Sequence, residues 1–204
     1  MCFSAPVSFG ASAALAAVGC ALVSRIKSRR YLPLALIPFF FAVQQAAEGV
    51  IWLSLPKSSP AQTIFLFFAY AIWPVWIPFS LYLVESSKKK RKALAGCLAL
   101  GVMVAATLFL EIPDIHATAG RYNIHYLQHF QWSLFSVIKV SFYLLATIPP
   151  FFISSLKKIW IAGLLLLLSA LITYLINALS AISVWCFFAA LFSLALLFIL
   201  KRQL

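Results

Sequence analysis

Acidic side chains are the scarcest feature of this sequence, with four Asp and Glu residues among 204, and charged residues of both signs make up only 10%. A soluble globular domain usually carries about 25% charged residues, so the composition excludes that class. Hydrophobic residues make up 64% of the chain. A bilayer-spanning helix takes about 20 residues, so seven spans would leave no room for a separate extramembrane catalytic domain.

Seven apolar stretches predict an all-α integral membrane bundle of seven transmembrane helices, in a single domain over residues 1–204. The predicted spans are Phe9–Ser24, Leu32–Leu53, Ile64–Val84, Ala93–Leu110, Leu134–Ile153, Trp160–Leu179 and Ile182–Leu200. Six prolines within or beside these spans are expected to kink or end helices, namely Pro33, Pro38, Pro74, Pro78, Pro149 and Pro150.

Basic residues fall on alternate connections, which predicts the orientation. Thirteen of the sixteen Lys and Arg residues lie between spans one and two, three and four, five and six, or in the tail. The positive-inside rule places these connections in the cytoplasm, with the N-terminus outside and the C-terminus inside. The basic runs would attract anionic lipid head groups. They are short and border spans, so nucleic-acid binding is not expected. Since no positive charge precedes the first span, we expect a retained helix and not a cleaved signal peptide.

Three motifs carry a family resemblance. The chain opens Met-Cys-Phe-Ser-Ala-Pro-Val-Ser-Phe, its second span contains Pro-Phe-Phe-Phe-Ala-Val-Gln-Gln-Ala-Ala-Glu-Gly-Val-Ile-Trp, and its last span contains Ser-Val-Trp-Cys-Phe-Phe-Ala-Ala. These segments resemble a bacterial family of small membrane proteins of unknown function whose N-terminus reads MCFSAxxSF. The resemblance implies a seven-span fold, and we expect a multi-pass protein of the bacterial inner membrane. It implies no particular activity.

The second span carries the most polar helix face. Gln44, Gln45, Glu48 and Trp52 follow at steps of three and four, which places them on one side of a helix. Glu48 is about five residues from the outer end, or roughly 8 Å below the interface at the helical rise. A carboxylate there needs a partner or a proton. An alternative is an interhelical hydrogen-bond network that only holds the bundle together.

The fifth span supplies a candidate partner for Glu48. A helix running through Tyr126–Trp132 into this span would place His129, Trp132, Ser136, Lys139 and Tyr143 on one stripe. Lys139 would then lie at the depth of Glu48, which predicts an intramembrane ion pair. The alternative is that Lys139 extends outward along its apolar stem to the interface.

A candidate metal site lies on the outer connection between spans four and five. His125 and His129 are four residues apart and would share a helix face, and Cys2 would offer a thiol with an α-amine if Met1 is removed. Such a set suits zinc or copper. The alternative is two interfacial histidines within an aromatic belt. A disulfide between Cys2 and Cys186 is also open, since sequence alone does not fix its geometry.

Nearly all the polar side chains within or beside the spans fall in the outer third, which predicts an outward-facing pocket. The cytoplasmic half is nearly all apolar apart from Glu85, for which we expect a solvated salt bridge with the adjoining basic run. The pocket's ligand-binding residues are predicted to be Gln44, Gln45, Glu48, Trp52, Lys139, Tyr143, Asn177 and Cys186.

Three functions fit this pattern. The first is a pocket that binds or transports a small polar solute or a proton. The second is a metal-dependent membrane enzyme that acts on a lipid-like substrate at the outer interface. The third is a structural subunit of a membrane complex, and self-association as a homo-oligomer is open in each case.

Overall fold

The computed structural model of the chain describes residues 4–57, 59–120, 123–128, 134–176 and 181–200. It is 82% helical, which confirms the all-α class. The helices are α1 Ala5–Val23, α2 Leu32–Ala35, α3 Ile37–Ser54, α4 Pro60–Phe67, α5 Trp73–Val84, α6 Lys88–Phe109, α7 Leu134–Thr147, α8 Pro149–Ile153, α9 Ile159–Ile176 and α10 Ala181–Leu200. A π-helical turn at Phe68–Ile72 joins α4 to α5, and 3₁₀ turns cover Arg29–Tyr31 and Ile112–Asp114.

The helices occupy the positions of the seven predicted spans, but they differ in length. Within the described residues, five stretches are long and apolar enough to cross a membrane: Ala5–Val23, Arg29–Ser54, Pro60–Val84, Lys88–Phe109 and Ile182–Leu200. The fifth and sixth predicted spans correspond to the shorter apolar helices Val137–Ile153 and Ile159–Leu175. Prolines account for the interruptions: Pro38 follows the break between α2 and α3, Pro74 follows the π-helical turn, and Pro149 begins α8.

The outer connection differs from the predicted helix. Strand β1, Ile115–Ala119, pairs antiparallel with β2, Ile124–Gln128, and Thr118 lies opposite His125. Burial alternates along this segment, with Ile124 and Tyr126 buried and His125 between them more exposed. A period of two is the strand pattern, so the prediction of a helix beginning at Tyr126 was wrong. The hairpin turns Ile115, Ile124 and Tyr126 toward the bundle.

Helix α3 is the central element of the bundle. It contacts α1, α4 and α10, while α5 packs on α6 and α7, and α9 packs on α8 and α10. Helices α1 and α3 run antiparallel, since Ser12 contacts Ala42 near their middle while Phe9 lies against Gly49 further out. The α3 face that points into this packing carries the polar residues singled out in the second span.

Helix α6 approaches α5 at a carbonyl that proline leaves without its usual donor. Pro78 has no N–H, so it cannot bond the Pro74 carbonyl four residues before it. Gly101 of α6 lies directly against this carbonyl, and a Cβ at that position would overlap the Pro74 oxygen. The glycine therefore allows a close backbone approach in which a Cα–H can face the carbonyl oxygen.

We expect Gly101→Ala to destabilise the protein markedly. The backbone oxygen cannot rotate away as a side chain could, so overpacking should cost about 1–3 kcal/mol or more. Gly96→Ala, on the same helix, is the matched control because nothing lies within 4 Å of its Cβ position. Thermal unfolding of the detergent-solubilised protein measures the difference. Equal melting temperatures for the two variants would contradict this packing.

Glu85 is buried, and the prediction of a solvated salt bridge was wrong. Its side chain accepts hydrogen bonds from the backbone N–H of Ser87, at 2.8 Å, and of Ser155, at 2.6 Å. Burial opposes ionisation of the carboxyl, but these two amides and the charge of Lys90 hold its pKa below the ordinary value. Glu85 therefore ties together two connections that the basic pattern assigns to the same side of the membrane.

The lowered pKa of Glu85 predicts a pH-dependent contribution to stability. A carboxyl group whose pKa is lower in the folded protein than in the unfolded chain stabilises the fold at pH values above its ordinary pKa of 4.5. This stabilisation is lost as the pH falls through the pKa of the folded state. Glu85→Gln removes the ionised acceptor and should cost about 1–3 kcal/mol at pH 7. Its melting temperature should approach that of wild type in acid. Asp114→Asn, in the exposed outer turn, is the control, and an unchanged melting temperature for Glu85→Gln at pH 7 would refute the role.

Candidate functional site

Three polar side chains of α3 form a layer within the bundle. Gln44, Gln45 and Glu48 are polar, but all three are fully buried, with 0% of their surface exposed. They lie in the middle and C-terminal part of α3, a long apolar helix. They share the inward face with Phe41 and Ile51, which the helical period places in line with them. Trp52 lies one turn further out and is half-buried.

Gln44 connects α3 to three other elements. Its amide oxygen accepts a hydrogen bond from Trp73 Nε1 of α5 at 2.8 Å. Its Nε2 donates to the Phe65 carbonyl of α4 at 3.4 Å and contacts the Cys186 sulfur of α10 at 3.2 Å. Because its amide nitrogen and its oxygen both have partners, Gln44 satisfies polar groups of three surrounding elements inside the apolar bundle.

Glu48 is held by hydrogen bonds within the same layer. Its Oε1 accepts from Ser183 Oγ of α10 at 2.7 Å, and its Oε2 accepts from Gln45 Nε2 at 3.4 Å. The layer thus places one titratable group between two helices that are distant in sequence.

Lys139 has a different carboxylate partner from the one predicted. Its Nζ forms an ion pair with Glu111 Oε1, at the end of α6, while the ion pair with Glu48 stays a prediction. The reason is packing: α7, which carries Lys139, lies against α6. The four-carbon stem of Lys139 reaches Glu111 from there, a partner that matching depths along the membrane did not select.

Tyr143 compensates for a backbone break in α4–α5. In the π-helical turn, the N–H of Trp73 bonds the Phe68 carbonyl five residues earlier. In the same hydrogen-bonding pattern, the N–H of residue 74 would donate to the Ala69 carbonyl, but Pro74 has no N–H. The hydroxyl of Tyr143 donates to this carbonyl at 2.8 Å. Single π-turns occur frequently at functional sites, and this one adjoins the polar layer.

A small cavity lies next to the polar layer, on the side toward the N-terminus of α3. Its volume is about 30 Å³, and it is lined by Phe41, Trp73, Ile77, Tyr143, Thr147, Leu166, Trp185 and Cys186. A cavity of roughly 10–15 Å³ by this measure holds one water molecule. The space therefore fits one or two waters and no organic solute.

The β-hairpin covers the outer side of the layer. Tyr126 stacks on Phe65 with ring centroids 4.9 Å apart and planes 7° from parallel. The Gln62 side chain accepts from the Ala117 N–H at 3.2 Å and donates to the Ile115 carbonyl, so it binds β1 on both sides of His116. Ile115, Ile124 and Tyr126 belong to one apolar cluster with Ala47 and Ile51, so the hairpin packs beside the α3 segment that carries Glu48.

Of the three predicted metal ligands, only His125 lies within the described residues. His125 lies on the hairpin face opposite to the buried Tyr126, while Cys2 and His129 lie outside the described residues. In the part of the chain that is described, no group of three His, Cys, Asp or Glu side chains is placed to hold a metal ion. Cys186 is a buried free thiol. Asn177 and the proposed disulfide partner of Cys186, Cys2, are likewise not described, so these predictions stay untested.

Residues absent from the predicted site complete the layer. Trp73 and Ser183 bond Gln44 and Glu48 directly. Ser183 and Cys186 are three residues apart, and this helical spacing was a signal that would have selected Ser183. Trp73 carried no such signal, because aromatic residues are common in all spans. Three buried polar atoms have no hydrogen-bond partner among the described residues: Trp52 Nε1, Ser8 Oγ and Thr173 Oγ1.

The fold and the polar layer identify the structural class of the protein. The protein is an all-α chain with at least five helices long and apolar enough to cross a membrane and a polar layer buried among them. It belongs to a family of unknown function, DUF6629, whose family model matches residues 1–204. No curated protein and no solved structure matches the chain.

We expect Tyr143→Phe to destabilise the bundle by about 1–3 kcal/mol. The substitution keeps the ring but leaves the Ala69 carbonyl without this donor in an apolar interior. Tyr174→Phe is the control, because Tyr174 is exposed on α9. The melting temperatures of the two variants in detergent give the comparison. A loss as large in Tyr174→Phe, or none in Tyr143→Phe, would argue against a structural role for this hydrogen bond.

Proposed function

We propose that the chain is a multi-pass protein of the bacterial inner membrane with seven spans, its N-terminus outside and its C-terminus in the cytoplasm. The helices at the seven predicted positions and the basic connections on alternate ends support this topology. Lys88–Lys92 is an exposed run at the start of α6 and suits anionic lipid head groups. Reporter fusions at the connections with Lys57 and with Lys157 should report opposite sides of the membrane.

We propose further that the layer around Glu48 is a pocket that takes up a proton or a small polar species from the outer side. The observation that carries this proposal is a fully buried carboxyl group among hydroxyl and amide partners inside a long apolar helix. Ionisable side chains at such positions are costly and are typical of ion and proton pathways.

Size favours a proton or an ion over an organic solute. The adjoining cavity accepts one or two waters, and the described part of the hairpin packs on the other side of the layer through Tyr126 and Phe65. A change in the protonation of Glu48 would alter its bonds to Ser183 and Gln45. Because the bond to Ser183 joins α3 to α10, proton binding would act directly on the contact between two helices. Entry of a larger solute would require the hairpin to move.

A structural role is the second candidate. The complete hydrogen bonding of Gln44 favours it, since such networks hold helices together without binding anything. The two candidates differ in one respect: a structural layer keeps the protonation of Glu48 constant, whereas a proton-binding pocket changes it within the working pH range.

Infrared difference spectra of the purified protein between acidic and alkaline pH test the proposal. Wild type should show the band of a buried protonated carboxyl group that is lost at alkaline pH, and Glu48→Gln should lack it. Glu85→Gln is the control, since it removes a buried carboxyl outside the layer. Identical spectra for wild type and Glu48→Gln would contradict a proton-binding role. If the spectra are identical and Glu48→Gln melts at a lower temperature than wild type, the structural candidate is favoured.

A further inference from the structure

Two basic segments that are distant in sequence meet at one end of the bundle. Glu85 Oε1 accepts from the Ser87 N–H at 2.8 Å, and Glu85 Oε2 accepts from the Ser155 N–H at 2.6 Å. These bonds hold the start of α6 beside the connection between α8 and α9. Lys88–Lys90 follow directly after Ser87, Lys157–Lys158 follow shortly after Ser155, and all five side chains are exposed. These five lysines form the basic patch.

The basic patch carries a surplus of positive charge. Of the four acidic side chains of the protein, Glu85 alone lies at this end, and the other three are Glu48, Glu111 and Asp114. Glu85 is 5% exposed, it interacts electrostatically with Lys90, and both of its oxygens already bond backbone amides. Like charges at neighbouring positions repel one another. An anion supplied from outside the protein would therefore stabilise the patch.

The backbone holds Lys158 in an unusual conformation. Its φ is 64°, in the left-handed region that favours glycine, and it is the one residue with a positive φ in the described part of the chain. Glycine would relieve this strain but would remove a charge from the patch. Strained backbone of this kind is concentrated at functional sites. The conformation therefore supports a role for the Lys158 side chain.

Exposed aromatic rings adjoin the basic patch. Trp160 follows Lys158 by two residues and is 51% exposed, and Phe152 of α8 is 49% exposed. The Phe152 ring lies against Gly163, three residues after Trp160 on α9, since a Cβ at Gly163 would be 2.8 Å from the ring. Tryptophan is typical of the level at which lipid head groups meet acyl chains. A soluble anion would leave these rings uncovered, whereas a lipid would cover them.

We propose that the basic patch is a binding site for a membrane lipid with two phosphate groups, a cardiolipin. Lys88–Lys90 would bind one phosphate and Lys157–Lys158 the other, with acyl chains over Phe152 and Trp160. Basic pockets between membrane helices on the cytoplasmic side bind head groups of this class. A single basic run attracts anionic lipids in general, whereas two runs joined through Glu85 make a discrete site. The inference goes beyond the Glu48 pocket and uses from the proposed topology only that both connections lie at the cytoplasmic surface.

The test measures the melting temperature of the purified protein in a nonionic detergent as cardiolipin is added. We expect saturable stabilisation, because a ligand that binds only the folded state stabilises it. Phosphatidylglycerol at the same phosphate concentration should stabilise less, since each molecule engages only one of the two lysine segments. Equal effects of the two lipids, or no saturable effect, would overturn the two-phosphate site. Equal stabilisation by inorganic pyrophosphate would overturn a lipid as the ligand.

Charge-removing variants locate the site. Lys157→Gln/Lys158→Gln and Lys88→Gln/Lys90→Gln should each weaken the apparent cardiolipin affinity by about tenfold, because each removes the partners of one phosphate. The matched control is Arg25→Gln/Lys27→Gln, which removes the same charge from exposed residues that follow α1. It should leave the affinity unchanged. Equal losses in all three double variants would overturn this location.

Glu85→Gln separates an assembled site from diffuse attraction. Removal of a negative charge would strengthen a purely electrostatic attraction for anions. The assembled site predicts weaker binding, because an amide offers one oxygen to two N–H groups and one connection is released. Tighter binding in Glu85→Gln would overturn the assembled site. The wild-type lipid titration decides the proposal even if a variant fails to fold, and the infrared signal of Glu48 decides the proton pocket separately.

Discussion

The structure depends on one constraint: a polar group within an apolar bundle must find its partners inside the protein, because no water can replace them. Gln44 meets this constraint for three helices at once, through Trp73, the Phe65 carbonyl and Cys186. Glu48 meets it through Ser183 and Gln45. The layer therefore fixes how α3, α5 and α10 sit against one another, and it concentrates the bundle's polar chemistry at one depth.

Prolines create further demands of the same kind, and other helices meet them. Pro74 removes the donor for the Ala69 carbonyl, and Tyr143 of α7 supplies one. Pro78 removes the donor for the Pro74 carbonyl, and Gly101 of α6 lies against it. Each irregularity in α4–α5 is thus paired with a specific residue on a neighbouring helix. The Tyr143 pair positions α7 beside the small cavity that adjoins the layer.

The sequence was sufficient to predict the helix positions and the inward face of α3, because hydrophobic runs and helical spacing are local signals. The partner of Lys139 was not predictable in this way, since depth along the membrane normal does not say which helices are neighbours. The strand at Ile124–Gln128 was missed because the spacing of His125 and His129 suggested a helix, while the alternation of Ile124, His125 and Tyr126 fits a strand. Trp73 was one aromatic among many until the fold placed it on Gln44.

The most direct test of the account is an experimental density map of the protein that resolves the side chains of α3, α5 and α10. The account predicts Trp73 Nε1 within hydrogen-bond distance of Gln44 and Ser183 Oγ within hydrogen-bond distance of Glu48. A map in which Ser183 faces away from α3, or in which Gln44 and Glu48 point out of the bundle, would contradict the account.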